Sequence, residues 1–84
     1  MKITYDENKR LVNIEKHGLD FADLTIDFFA DALIVGAKQG RYMAIGEFQG
    51  IVVIAVVFRP LGSEGLSVIS MRPASTTERK HRWT

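Results

Sequence analysis

The chain has 84 residues, 46% hydrophobic and 25% charged, with a net charge of +1 and no cysteine. That length suits one domain, residues 1–84, whose folding buries little more than ~60% of the unfolded surface. The balance excludes disordered and fibrous classes, and the missing thiols exclude a disulfide framework or a thiolate metal site and fit a cytoplasmic protein.

Ile3 to Tyr5 predicts a short strand, and Asp6 is suited to cap the helix that follows to about Lys16. Leu11, Val12 and Ile14 give that helix a narrow apolar stripe, so it is expected to rest on the core. Gly18 is the stop, with Lys16 and His17 in the last turn, where exposed carbonyls favour cations. Asp20 is the next cap candidate. Phe21, Leu24, Thr25 and Phe28 then recur at helical spacing, with Phe29 beside them, and predict a second helix.

From Ala32 the pattern changes to β-branched and aromatic runs separated by glycine: Leu33–Val35, Arg41–Phe48, Ile51–Arg59 and Leu66–Arg72. Gln49-Gly50 predicts a tight hairpin, and Pro60 to Gly65 a loop that returns the chain antiparallel. Ile51 to Phe58 is apolar without alternation, which predicts a central strand covered on both faces. It is also the longest apolar run, eight residues, and a bilayer span needs ~20. Ser75 to Trp83 predicts a short terminal helix able to cover the second face, with Ser75 or Thr76 as its cap and Glu78 completing a capping box. The expected class is α+β, in the order β-α-α-β-β-β-β-α, with an antiparallel meander.

Charge is segregated along the chain. No Lys or Arg lies between His17 and Lys38, where Asp20, Asp23, Asp27 and Asp31 fall, whereas Arg72, Arg79, Lys80 and Arg82 crowd the end against Glu78 alone. His17 and His81 have no metal-motif spacing, no glycine cluster precedes a helix as a phosphate loop does, and no serine sits in a nucleophile elbow. The expectation is therefore no metal and no cofactor. Arginine remains: Arg41 opens a strand, Arg59 and Arg72 close strands, and Arg79 lies on the terminal helix. A guanidinium offers a phosphate two parallel charge-assisted hydrogen bonds and keeps its proton. Simple alternation sets Val68, Ser70 and Arg72 on one face and Ser67, Ile69 and Met71 on the other.

Five spaced segments carry a resemblance. Tyr5-Asp6-Glu7-Asn8-Lys9, Asn13, and Lys16-His17-Gly18-Leu19-Asp20-Phe21 resemble the opening of the BrnT toxin family; Arg41-Tyr42-Met43-Ala44-Ile45-Gly46 resembles its Arg-x-x-x-Ile-Gly strand. Val56-Val57-Phe58 and Ile69-Ser70-Met71-Arg72-Pro73-Ala74, with Glu78 four residues on, are similar to its closing strands and terminal helix. Tyr5 stands where tryptophan is frequent in the family, and Pro73 where another residue often is.

The resemblance implies a RelE-like fold and a metal-independent endoribonuclease that arrests translation. It also implies neutralisation by a BrnA-type antitoxin, a ribbon-helix-helix protein that binds DNA, in a hetero-oligomer. Such a ribonuclease directs a ribose 2′-hydroxyl at the adjacent phosphorus, which calls for a proton acceptor, a proton donor and cations. On that reading Arg59 and Arg72 hold phosphate oxygens, Arg41 and Lys16 assist, and His17 or Glu78 is the acid or base. Lys9 and Arg79 contact the RNA backbone, and Tyr5 or Trp83 stacks a base. The alternative is a non-catalytic interaction module that pairs with a DNA-binding regulator.

Overall fold

A computed structural model describes the backbone of residues 1–83 and the side chains of residues 1–81. Its elements are β1 (Lys2–Tyr5), α1 (Glu7–His17), a 3-10 turn (Phe21–Asp23), α2 (Ile26–Asp31), β2 (Leu33–Gly36), β3 (Tyr42–Phe48), β4 (Val52–Leu61), β5 (Gly65–Pro73) and α3 (Thr76–Trp83). The five strands form one sheet in the order β1-β5-β4-β3-β2. β2 to β5 make the expected antiparallel meander. β1 adds a parallel partner to β5, from Lys2 opposite Gly65 to Tyr5 opposite Val68, so the sheet is mixed.

β4 is the central strand. Ile54, Val56 and Phe58 turn to the main core, where they meet Phe21, Leu24, Phe28 and Phe29. Ala55 and its neighbour Ile45 are buried on the opposite face, on the side where α3 packs against β3. That double cover explains the run without alternation. Gly46 lets α2 approach: a Cβ there would lie 3.2 Å from the Ala32 Cβ and 3.3 Å from Phe28. At the hairpin three residues, Gln49 to Ile51, join Phe48 to its partner Val52; Gln49 and Gly50 both adopt positive φ, and the Ile51 N–H donates to the Phe48 carbonyl at 3.2 Å.

The single helix expected after Asp20 is in fact two pieces. Asp20 accepts the Ala22 N–H and caps the 3-10 turn, and Thr25 accepts the Phe28 N–H and caps α2. Leu24 and Thr25 between them are extended. Two capping side chains five residues apart each start a turn, and the backbone breaks between them, yet Phe21, Leu24 and Phe28 all stay buried.

α1 rests on the sheet, as expected, but through a polar residue. Asp6 caps it and left-handed Gly18 closes it, as the sequence predicts. Its stripe does not enter the core, however: Leu11 is 53% exposed and Val12 57%, while Asn13 is 5% exposed. Asn13 Nδ2 donates to the Leu19 carbonyl (3.0 Å), and its Oδ1 accepts the Met71 N–H (3.1 Å). β1 stops pairing at Val68, so β5 is open on that side from there on, and Asn13 satisfies part of that edge. Arg10 fixes the same helix through a two-point contact with Asp20, at 2.7 and 3.0 Å.

Candidate functional site

A bulge in β5 decides which side chains share a face. Val57 pairs with Ser70 but Phe58 pairs with Val68, so Ile69 is an extra residue. Leu66 and Val68 before it, and Met71 after it, all belong to the core. Ser70 and Arg72 are thereby turned to the opposite face, opposite Val57 and Ala55. The alternation expected for Val68, Ser70 and Arg72 fails at this point, because an inserted residue reverses the parity of everything that follows it.

That second face holds three of the sequence-predicted arginines. Arg59 stands opposite Ser67 and Arg72 opposite Ala55. They are four residues apart along β4, roughly 13 Å at ~3.3 Å per residue. Carrying the β3–β4 register one step beyond Tyr42 and Phe58 sets Arg41 opposite Arg59. The two residues thus share one end of the sheet, and neither has an ion-pair partner among the described residues. Arg59 is exposed. The Arg41 Nε is buried with no hydrogen-bond acceptor. Like charges on neighbouring strands are unfavourable by themselves, and an anion bound at that end of the sheet offsets the repulsion.

Arg72 differs. Its two terminal nitrogens donate to the two Glu78 oxygens, at 2.7 and 2.8 Å. Glu78 also accepts the Ser75 N–H at 2.8 Å and returns its own N–H to Ser75 Oγ at 3.2 Å, which completes the capping box of α3. Held first by Arg72 and then by the Ser75 amide, the Glu78 carboxyl is pulled down from 4.5 to about 2. In this arrangement it has no proton to donate near neutrality.

The pair also sets a pH dependence of stability. Because the folded-state value is depressed, its contribution is complete above the ordinary carboxyl value and is lost as pH falls from 4.5 through about 2. Glu78→Gln should therefore lower unfolding free energy at pH 7 by on the order of 1–2 kcal/mol, discounted because Arg72 is about a third exposed. Urea midpoints of wild type and variant should draw together as pH falls below 4.5 and meet near pH 2. A constant gap from pH 7 to pH 2 would contradict the assignment.

Beside the second face, α1 and the bulged part of β5 border a groove of about 340 Å³. Lys9, Lys16 and His17 from α1 face Ile69 and Ser70 there. His17 is the last residue of α1 and Gly18 turns the chain away after it, so the α1 C-terminus brings two of the expected site residues to β5. Arg79 is exposed on α3. Tyr5 faces the core side, half-buried, with its ring edge against Phe21 at 5.8 Å, so it does not offer a free face on this side of the sheet. The Trp83 side chain lies outside the described residues.

Sequence reasoning missed Asn13, Val12, Ile69 and Ser70 as parts of this region. An asparagine at helical spacing beside Leu11 and Ile14 was the one available signal, since a polar residue in an apolar stripe demands partners. Among the described residues no group of three or more His, Cys, Asp or Glu side chains is placed to hold a metal ion. No helix there is long and apolar enough to cross a membrane.

Comparison with known proteins gives a family and a solved structure similar to this chain. Residues 5–78 match the family model described as "Ribonuclease toxin, BrnT, of type II toxin-antitoxin system". The chain is 62% identical to the ribonuclease toxin BrnT of Brucella abortus, whose crystal structure superposes with a TM-score of 0.86 over 90% of this chain and 99% of that one. No curated protein matches.

Proposed function

The chain belongs to the BrnT family of ribonuclease toxins of type II toxin-antitoxin systems, and we propose that it cleaves RNA without a metal ion and thereby arrests translation in the cytoplasm. Its antagonist is a BrnA-type antitoxin, a DNA-binding ribbon-helix-helix protein with which it forms a hetero-oligomer. The observation that carries the chemistry is the Arg41–Arg59 pair, two cations at one sheet end with no carboxylate partner among the described residues and a buried Nε without an acceptor.

A phosphate diester supplies what that pair lacks. The ribose 2′-oxygen attacks the adjacent phosphorus as its proton passes to a base; the P–O5′ bond breaks and the 5′-oxygen takes up a proton. Products are a 2′,3′-cyclic phosphate and a 5′-hydroxyl. Arg59 and Arg41 stabilise the charge that builds on the non-bridging oxygens. His17 is assigned the transfer in preference to Glu78, whose carboxylate is occupied by Arg72. Arg72 joins the seat when an RNA phosphate competes with Glu78 for its fork. Lys16 assists from α1, and Lys9 and Arg79 meet neighbouring phosphates.

An antitoxin is supported by the family and by the open edge of β2, where Leu33 and Ile34 are exposed. The deciding assay incubates the purified chain with single-stranded RNA in excess EDTA. Cleavage leaving 5′-hydroxyl ends is the expected result. Intact RNA at high protein concentration would favour the non-catalytic interaction module.

A further inference from the structure

The groove between α1 and the β5 bulge points to a second contact with the substrate. We infer that it is a nucleotide subsite, in which an unpaired base lies against Val12 and Ile69 while its flanking phosphates meet Lys9 and Lys16. This rests on the ribonuclease reading above and extends it to the nucleotide beside the reacting phosphate.

Three observations carry it. Val12 is more than half exposed beside the buried Asn13, so its apolar surface is left open to solvent. Ile69 is there only because the bulge inserts it, half-buried, between Val68 in the core and Ser70 on the second face. Every charged side chain bordering the groove among the described residues is basic, Lys9 and Lys16 with His17 beside them, and no carboxylate lines it. An apolar floor under a wholly basic rim matches a ligand with one flat uncharged part and anionic groups on either side, which describes a single-stranded nucleotide.

The contrast within the molecule is sharp. The hollow between α2 and the β3–β4 turn is bordered by Asp23, Asp27, Asp31 and Glu47, and would repel the same strand. The groove also adjoins the cleavage face, because Ser70 borders it and stands opposite Val57 on the strand that carries Arg59. Asn13 keeps the two walls together by joining α1 to Met71, two residues beyond Ile69. Asn8 stands at the rim and can read a base edge.

The test measures binding separately from cutting. Fluorescence anisotropy of a labelled, uncleavable 2′-O-methyl oligoribonucleotide is followed with wild type, Val12→Ser, Val12→Phe and Leu11→Ser. Val12→Ser should weaken binding about fivefold and Val12→Phe should match or exceed wild type, since aromatic faces stack bases well. Leu11→Ser, equally exposed on the same helix but outside the groove, should change nothing. Lys9→Gln and Lys16→Gln should each lower the slope of log Kd against log salt by about 0.7.

Equal affinity of wild type and Val12→Ser, equal losses in the Leu11 and Val12 variants, or no binding by wild type would each overturn the subsite. Cleavage of natural RNA by the same proteins is scored in parallel. A chain that cuts RNA but is indifferent at Val12 fails here alone, whereas one that binds through Val12 and cuts nothing fails the ribonuclease reading.

Discussion

Arg59→Gln should reduce kcat/KM for single-stranded RNA roughly 10²–10³-fold, the usual cost of removing one preorganised donor from a developing oxyanion. The same substitution should leave thermal stability unchanged or slightly higher. Arg59 is exposed and has no carboxylate partner among the described residues, so little folding energy depends on it. Its removal also relieves the repulsion from Arg41 across the β3–β4 pair. Arg41→Gln should act in the same direction, and the double variant should lose less than the product of the two losses, because both guanidiniums serve one anion. Steady-state cleavage of a defined RNA, with a melting curve of each protein, decides it. A variant that melts lower yet cuts normally would make Arg59 a structural residue. Arg72 should behave oppositely: Arg72→Ala loses stability as well as activity, since it strands the Glu78 carboxylate against α3.

Phe21→Ala should cost about 3–5 kcal/mol, the largest loss expected from any single change in this chain. Phe21 is 1% exposed, sits in a three-residue 3-10 turn, and meets Tyr5, the last residue of β1, at its ring edge. Phe21 is the residue through which the turn joins the core. Domains of this size have only about 5–15 kcal/mol in total, so much of the variant should be unfolded at 37 °C. Urea unfolding at 15 °C, followed by far-UV circular dichroism, measures the change. Phe21→Leu should lose far less, because it keeps most of the apolar volume. A loss under 1 kcal/mol for Phe21→Ala would mean the core closes over the cavity and that β1 is anchored by other contacts.

Local rules were enough for much of the fold. Asp6, Gly18, Ser75 and Glu78 mark helix ends through hydrogen bonds made within a few residues, so they are readable one segment at a time. The β4 run without alternation identified the central strand for a similar reason: a residue type states whether its own surroundings are wet or dry. The arginine inventory was equally legible, as was the family resemblance carried by the spaced motifs.

Which of those arginines could act together was not legible, because it turns on relations between distant segments. The Ile69 bulge reverses side-chain parity in β5 and turns Arg72 toward Arg59's face, and nothing in Leu66 to Arg72 announces an inserted residue. Its surroundings come from across the fold: α1 lies beside β5 where β1 has ended, and Asn13 there accepts the Met71 N–H. The pairing of Arg72 with Glu78, and the open state of Arg41 and Arg59, depend likewise on where α3 settles on the second face. The sequence determined which chemical groups are present and where segments start and stop, since those follow from contacts within a turn or two. Tertiary packing alone decided which groups converge, since a one-residue change of register moves a side chain to the other side of the sheet.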